Sequence, residues 1–316
     1  MRERGSQIVL VGDQSQVREA MRRAANGVNL DSVSVQHASQ VIGMGESPVT
    51  AVKNKKDSSI VVAASMVREQ RASAMVSMGN TGACMAAALL EMGRIGGVER
   101  PAIAVPIPHA HGITYLLDGG ANVDCKPSQL VQFAVMGDIY AEQVMGVHRP
   151  RVGLLNVGEE EGKGGEVVQE AFSLLRKAHL EFIGNVEGRD IANGRVDVVV
   201  CDGFVGNIVL KFAEGMTETI MDLIEKWYRR GTLFMKLGAL LSRPVMRMMK
   251  EYFDPAKVGG APLLGVNGTC IVGHGSSSPK AVNNAVALAE KFTRLGVNSI
   301  IHERLHSLRA SRGPHG

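Results

Sequence analysis

Short apolar runs alternate along almost the whole chain with longer stretches in which apolar residues recur every three or four positions. The runs at 8–11, 74–77, 102–106, 113–117, 151–155, 181–183, 196–201, 263–266 and 269–272 predict strands. The helical period appears over 17–25, 48–71, 81–94, 128–147, 166–178, 207–228 and 279–295. Strands of this length alternating with helices imply an α/β fold, with a mainly parallel sheet covered on both faces. Ligands in such sheets bind beyond the C-terminal ends of the strands. No internal repeat is visible, so residues 1–306 are expected to form one α/β domain, followed by a disordered tail over 307–316.

Five of the strand-to-helix junctions are rich in Gly, Asn, Asp and Ser: 78–83, 117–122, 156–165, 202–207 and 273–278. Glycine turns leave backbone N–H groups uncovered, and a helix N-terminus adds unpaired donors and a positive dipole end. Several such loops in one chain point to a phosphate-bearing ligand. None is a nucleotide-binding signature. Gly43-Met44-Gly45 lacks the third glycine and a leading strand, and 158–164 is one residue short of a P-loop, with Gly164 after Lys163 where Ser or Thr is required.

Composition narrows the class. The chain is 45% apolar and 21% charged, as in ordinary folded proteins. A formal charge of +4 is too modest to argue for nucleic acid. The cysteines Cys84, Cys125, Cys201 and Cys270 stand far apart without zinc spacing, and His109 with His111 lacks a third ligand, so no metal site is expected. The charged start at Met1 to Gly5 is unlike a signal peptide, and no apolar run reaches the roughly 18–20 residues of a membrane span.

Individual residues carry two readings each. Gly79, Asn80, Thr81 and Gly82 make either a tight turn with an ordinary cap or an anion cradle, with Thr81 able to cap the helix or to donate its hydroxyl to the anion. His274, Gly275, Ser276 and Ser277 open the final predicted helix and can cap it or hold an anion. No G-x-S-x-G elbow supports a hydrolase triad. Cys84 reads as a small buried hydrophobe. Lys163 follows three acids, Glu159, Glu160 and Glu161, in a glycine-flanked loop where a ligand would arrive, and its ammonium suits a phosphate or a developing oxyanion. Asn207 precedes the stripe Val209, Ala213, Met216, Ile220, Leu223 and Trp227, so it is first a helix cap, though its amide N–H₂ can polarise a carbonyl.

The segment 229–253 is basic and strongly apolar. Between Arg229 and Lys250 it holds six cations and no acid, interleaved with large apolar residues. Gly238 and Pro244 are expected to break it into short helices. It reads either as a membrane-surface contact through Arg229, Arg230, Leu233, Phe234, Lys236, Leu237, Leu240, Leu241, Arg243 and Arg247, or as a dimer interface.

The series M-G-N-T-G-A, L-D-G-G-A-N, L-N-V-G-E-E-E-G-K-G, V-C-D-G-F-V-G-N and G-H-G-S-S, in this order, resembles the bacterial phosphate acyltransferase family of phospholipid synthesis. The resemblance runs from about Ile8 to the last predicted helix. It implies transfer of a fatty acyl group from acyl carrier protein to inorganic phosphate, without a cofactor. It also implies a homodimeric αβα sandwich of the isocitrate dehydrogenase-like group, located in the cytoplasm and peripheral on the anionic membrane. In that reading Gly79, Asn80, Thr81, Gly82, His274, Gly275, Ser276 and Ser277 cradle phosphate. Lys163 and Asn207 polarise the thioester, and Asp118 and Asn122 orient the loops. The family pattern begins with a further strand, a D-A-M-G-G-D loop and a helix, so a βα unit of about 30 residues is expected ahead of this sequence. A short-chain phosphate acetyltransferase, a nucleotide-dependent decarboxylating dehydrogenase and a non-catalytic carrier-protein binder are the other readings.

Overall fold

The computed structural model describes residues 6–24, 33–253, 257 and 259–310. Met1 to Gly5 and the part of the expected tail over 311–316 lie outside the described residues. The chain runs β1 (Ile8–Gly12), α1 (Gln14–Ala24), β2 (Val33–His37), α2 (Pro48–Asn54), α3 (Ser59–Arg68), β3 (Ala74–Ser77) and α4 (Thr81–Ala87). It continues through β4 (Ala102–Ile103), β5 (Val105–His109), β6 (Gly112–Leu117), α5 (Pro127–Ile139), β7 (Arg151–Leu155), α6 (Glu166–Leu175), β8 (Glu181–Val186) and α7 (Gly188–Ala192). It ends with β9 (Val198–Val200), α8 (Gly203–Arg230), α9 (Leu233–Tyr252), β10 (Ala261–Leu264), β11 (Thr269–Val272), α10 (Pro279–Arg294) and α11 (Val297–Ala310). These elements form two compact units, where the sequence reads as one domain: 1–101 with 143–145 and 258–316, and 102–142 with 146–257. Periodicity marks which face of an element is buried, not which core that face joins.

The first unit holds the parallel pair β1–β2 and a four-stranded sheet in the order β3-β11-β10-β4. Strands β3 and β11 are parallel, while β10 and β11 are antiparallel. Alternation along β11 divides its faces, as the period of two requires. The Thr269 hydroxyl meets Thr293 of α10 at 3.0 Å, whereas Cys270 meets Cys84 of α4. The predicted helix over 48–71 is two helices, α2 and α3. Polar residues break it: Ser58 N–H donates to the Lys55 carbonyl, and the Asp57 carboxylate accepts from Ser39 N–H at 2.8 Å. Helix α11 continues to Ala310, so 307–310 are helical rather than tail. Val297, Ile301 and Leu305 are buried at a spacing of four, a short stripe diluted by His and Arg.

The second unit contains a five-stranded sheet in the order β5-β6-β9-β7-β8. Its pairs are parallel except for the β5–β6 hairpin. Gly137 of α5 approaches Leu117 and Val198 on one face. Leu116, Val199, Ile191 and Val196 cluster with Val209 and Leu210 of α8 on the other. Helix α5 is buried along almost its whole length, as an apolar helix against a sheet should be. Arg151 and Asp197 tie the starts of β7 and β9, the carboxylate accepting from the Arg151 backbone N–H at 2.8 Å and from Nε at 2.9 Å. Burial pushes the Asp197 carboxyl up, but the Arg151 hydrogen bonds and charge outweigh it and hold Asp197 below 3.8. A depressed acid stabilises the fold above its unfolded pKa and loses that contribution as pH falls through the folded value. Urea titrations from pH 6 down to pH 2 should therefore show a loss of stability below about pH 4 in the parent chain that is diminished in Asp197→Asn.

Helices α8 and α9 pack on each other, and the Tyr228 hydroxyl lies 3.2 Å from Ser242 Oγ. Contrary to the sequence expectation, α9 is one helix through Gly238 and Pro244. A proline inside a helix removes one donor, here the one for the Leu240 carbonyl, and an internal glycine costs about 1 kcal/mol. The half-buried residues Ala239, Ser242, Met246 and Met249, spaced three and four apart, hold the helix together despite both. Leu233, Phe234, Leu240 and Leu241 point to solvent, as do Phe212, Ile220 and Trp227 on α8.

Candidate active site

In the first unit, two of the loops leave neighbouring parallel strands. Ser77 of β3 is in register with Val272 of β11, and Gly273 N–H donates to the Ser77 carbonyl at 2.8 Å. The loops 78–83 and 273–278 therefore start side by side. Gly273 lies so close to Met78 that a Cβ would sit 2.0 Å from its sulfur, so any larger residue there must displace the Met78 side chain. The Asn80 side chain is fully engaged: Oδ1 accepts from Ala83 N–H at 2.9 Å as the cap of α4, and Nδ2 donates to the Gly43 and Met44 carbonyls at 3.1 and 3.2 Å. It shapes the loop instead of presenting an amide to a ligand. Gly82 lies against Pro48, and the exposed Thr81 follows the cap. In the other loop, His274 Nδ1 and Ser276 Oγ are 2.7 Å apart, Ser277 N–H donates to the His274 carbonyl, and Ser278 Oγ accepts from Ala281 N–H to cap α10. Hydroxyls and backbone donors thus surround the start of a 16-residue helix.

In the second unit, three loops leave the adjacent parallel strands β6, β9 and β7. Asp118 organises two of them. Its Oδ1 accepts from Ile103 N–H at 3.0 Å, and Oδ2 accepts from Asn122 N–H at 2.6 Å and Asn122 Nδ2 at 2.9 Å. Burial pushes this carboxyl up, against the pull of the amide donors. The Asn122 carbonyl in turn accepts from Gly203 N–H at 2.6 Å, at the start of α8. Gly206 passes so near the Asp118 carbonyl that a Cβ would lie 1.9 Å from its oxygen. Asn207 is not the helix cap. That position belongs to Asp202, whose carboxylate accepts from Val205 N–H at 2.8 Å. The helix starts four residues before Asn207 because Gly203 and Gly206, poor helix formers in isolation, allow the first turn to close on the Asp118 loop. Asn207 sits on the second turn, exposed, against Gly120.

The Lys163 loop is held by its carbonyls. Asn185 Nδ2 takes the Glu160 carbonyl at 2.8 Å, Asn156 Nδ2 that of Lys163 at 3.0 Å, and Gln169 Nε2 those of Gly162 and Gly164 at 2.8 and 3.0 Å. Two of the three acids are paired away from the lysine. Glu159 meets Arg195 at 2.9 Å, and Glu161 meets Arg176 at 2.8 Å. Among the described residues the exposed Lys163 ammonium has no ion pair, while its stem lies against Gly158. Sequence reasoning marked Asn156 as the start of the 156–165 junction but singled out neither Asn185, Gln169 nor these arginines, which come from other elements and carry no local signal.

The family model for fatty acid synthesis proteins matches residues 1–300. A phosphate acyltransferase of Heliobacterium modesticaldum is 52% identical over 299 residues, covering 95% of this chain and 89% of that one. The chain belongs to the phosphate acyltransferase family. A relative of the same name from Pelotomaculum thermopropionicum is 51% identical over 284 residues, covering 90% of this chain and 82% of its own. Among solved structures, a phosphotransacetylase from Staphylococcus aureus matches with a TM-score of 0.57 at 15% identity, over 92% of this chain and 86% of that one. A phosphotransacetylase from Streptococcus pyogenes matches at 0.52 and 16% identity, over 96% and 95%. At these identities the likeness is one of fold: α/β, with parallel strand pairs.

Proposed function

We propose that the chain transfers a fatty acyl group from the thioester of acyl carrier protein to inorganic phosphate, yielding an acyl phosphate for phospholipid synthesis. Membership of the phosphate acyltransferase family carries this reading. Phosphate is a nucleophile at neutral pH, so the protein need only hold it against the thioester carbon and stabilise the oxyanion. A phosphate oxygen attacks the carbonyl carbon, the C–S bond breaks, and the sulfur leaves as thiolate, which takes the proton given up by the hydrogen phosphate to become the free carrier thiol. Gly79, Thr81, Gly82, His274, Gly275, Ser276 and Ser277 hold phosphate, with Asn80 fixing the loop that bears Thr81. Lys163 and Asn207 polarise the thioester carbonyl, and Asp118 and Asn122 set the loop on which Asn207 rests. No metal or cofactor enters the scheme. The finer fold assignment is to the αβα, isocitrate dehydrogenase-like group.

The partner is an acidic carrier protein, which a chain of charge +4 suits. The chain acts as a cytoplasmic homodimer, peripheral on the membrane. Among the described residues no helix is long and apolar enough to cross a bilayer. The exposed Leu233, Phe234, Leu237, Leu240 and Leu241 of α9, flanked by Arg229, Arg230, Lys236, Arg243 and Arg247, provide an amphipathic surface contact. Flotation with phosphatidylglycerol vesicles should recover the chain, and Leu237→Glu with Leu241→Glu should leave it unbound. Equal recovery of the double variant would assign the stripe elsewhere.

The deciding assay is phosphate-dependent release of free carrier thiol from long-chain acyl carrier protein, with acetyl-CoA as the competing substrate. Release from the carrier protein supports the reading. Release from acetyl-CoA alone makes the chain a short-chain enzyme, and carrier binding without release makes it a binding protein.

A further inference from the structure

Two of the four cysteines, far apart in sequence, are in contact inside the first unit. Cys84 Sγ and Cys270 Sγ lie 3.6 Å apart, and both side chains are buried, at 0% and 1% exposure. Cys84 sits in the first turn of α4, immediately after the 78–83 loop. Cys270 lies on β11, which leads directly into the 273–278 loop. We propose that Cys84 and Cys270 form a redox pair, which a hydroperoxide converts to a disulfide that fixes the two loop-bearing elements to each other and suppresses turnover.

The sulfurs need only close from contact to about 2.05 Å, the length of the bond. The contact also prepares the chemistry. The hydrogen bond between the two thiols lowers the Cys84 thiol from its usual value against the effect of burial, and Ser77 lowers it further. The same contact and burial raise Cys270 well above the ordinary thiol range. Of the two, Cys84 has the lower thiol pKa and is the attacking sulfur when a local opening admits the small peroxide. Its thiolate takes one oxygen of the peroxide, the O–O bond breaks, and the departing hydroxide leaves as water with the thiol proton. The Cys270 sulfur then displaces the hydroxyl of the resulting sulfenic acid, which leaves as a second water with the Cys270 proton. The sulfurs lose two electrons, and the peroxide gains them. Cys125, half-buried with its thiol near the Asn122 carbonyl, and Cys201 both belong to the second unit and are not members of this pair.

The formation of the bond is independent of the function proposed above; its effect on turnover rests on that reading. The full chain is treated with hydrogen peroxide, its remaining thiols are alkylated in denaturant, and its peptides are mapped by mass. The expected result is a peptide pair linked through Cys84 and Cys270, released by dithiothreitol and absent from Cys84→Ser and Cys270→Ser. Alkylation of both cysteines at a peroxide dose that already oxidises Cys125 overturns the pairing, and this result needs no variant to fold. In the thiol-release assay, oxidation should lower turnover about a hundredfold, the scale of an ångström's misplacement, with recovery on reduction. Unchanged turnover in the linked chain overturns the switch. A reduced chain that already fails to turn over overturns the function reading and the switch with it, while the linked peptide still decides the pairing.

Discussion

Replacing Lys163 by alanine is expected to lower kcat by about 10²–10³, the loss of one oxyanion donor, or roughly 2.7–4 kcal/mol. Thermal stability should barely move. The ammonium has no ion pair among the described residues, and the loop that carries it is held through carbonyls by Asn156, Asn185 and Gln169, all untouched by the substitution. That separation makes the experiment informative, because lost activity cannot be traced to a lost fold. Arginine should restore only part of the rate, since a planar fork replaces a compact charge. A loss smaller than about tenfold, or 1.4 kcal/mol, would remove Lys163 from the chemistry.

Asp118→Ala should act in the opposite way, through structure first. The carboxylate is buried and accepts from Ile103 N–H, Asn122 N–H and Asn122 Nδ2. Alanine relieves the burial of a charge but leaves backbone donors without their acceptor. The net destabilisation is expected to be on the order of 3 kcal/mol, read from the urea midpoint. A change below about 1 kcal/mol would mean that water or a rearranged loop takes over the donors. Turnover should fall as well, because the Asp118–Asn122 turn supports the start of α8 and lies against Asn207.

The alternation of strands and helices, and the positions of all five glycine-rich loops, were legible in the sequence because both are local signals. Boundaries were less so. The stretch 48–71 keeps an apolar period across a turn whose cause, the Asp57 carboxylate bonded to Ser39, lies 18 residues away. Helix α9 survives Pro244 because its inner face rests on α8, a tertiary effect that propensity does not see. Strand β2 is short and half-exposed, with no strong run to announce it. Asn207 read as a cap because an apolar stripe follows it, yet Asp202 starts the helix, and the glycines that allow this are required by contacts with the distant Asp118 loop. The cap of α4 read as Thr81, one residue late; Asn80 fills it, and its grip on Gly43 and Met44 spans more than 35 residues and has no sequence signature.

The way the Lys163 loop is fastened bears on how it can vary. Its carbonyls at 160, 162, 163 and 164 each meet an amide from β7's end, β8 or α6, so these anchors read the count of residues and hardly their kind. One inserted or deleted residue would move every later carbonyl past its donor. The acids at 159 and 161, which among the described residues pair with exposed arginines, can be exchanged with small effect. This loop should therefore be fixed in length and, apart from Lys163 and the left-handed Gly164 packed against Asn156, permissive in composition, the reverse of an ordinary surface connection.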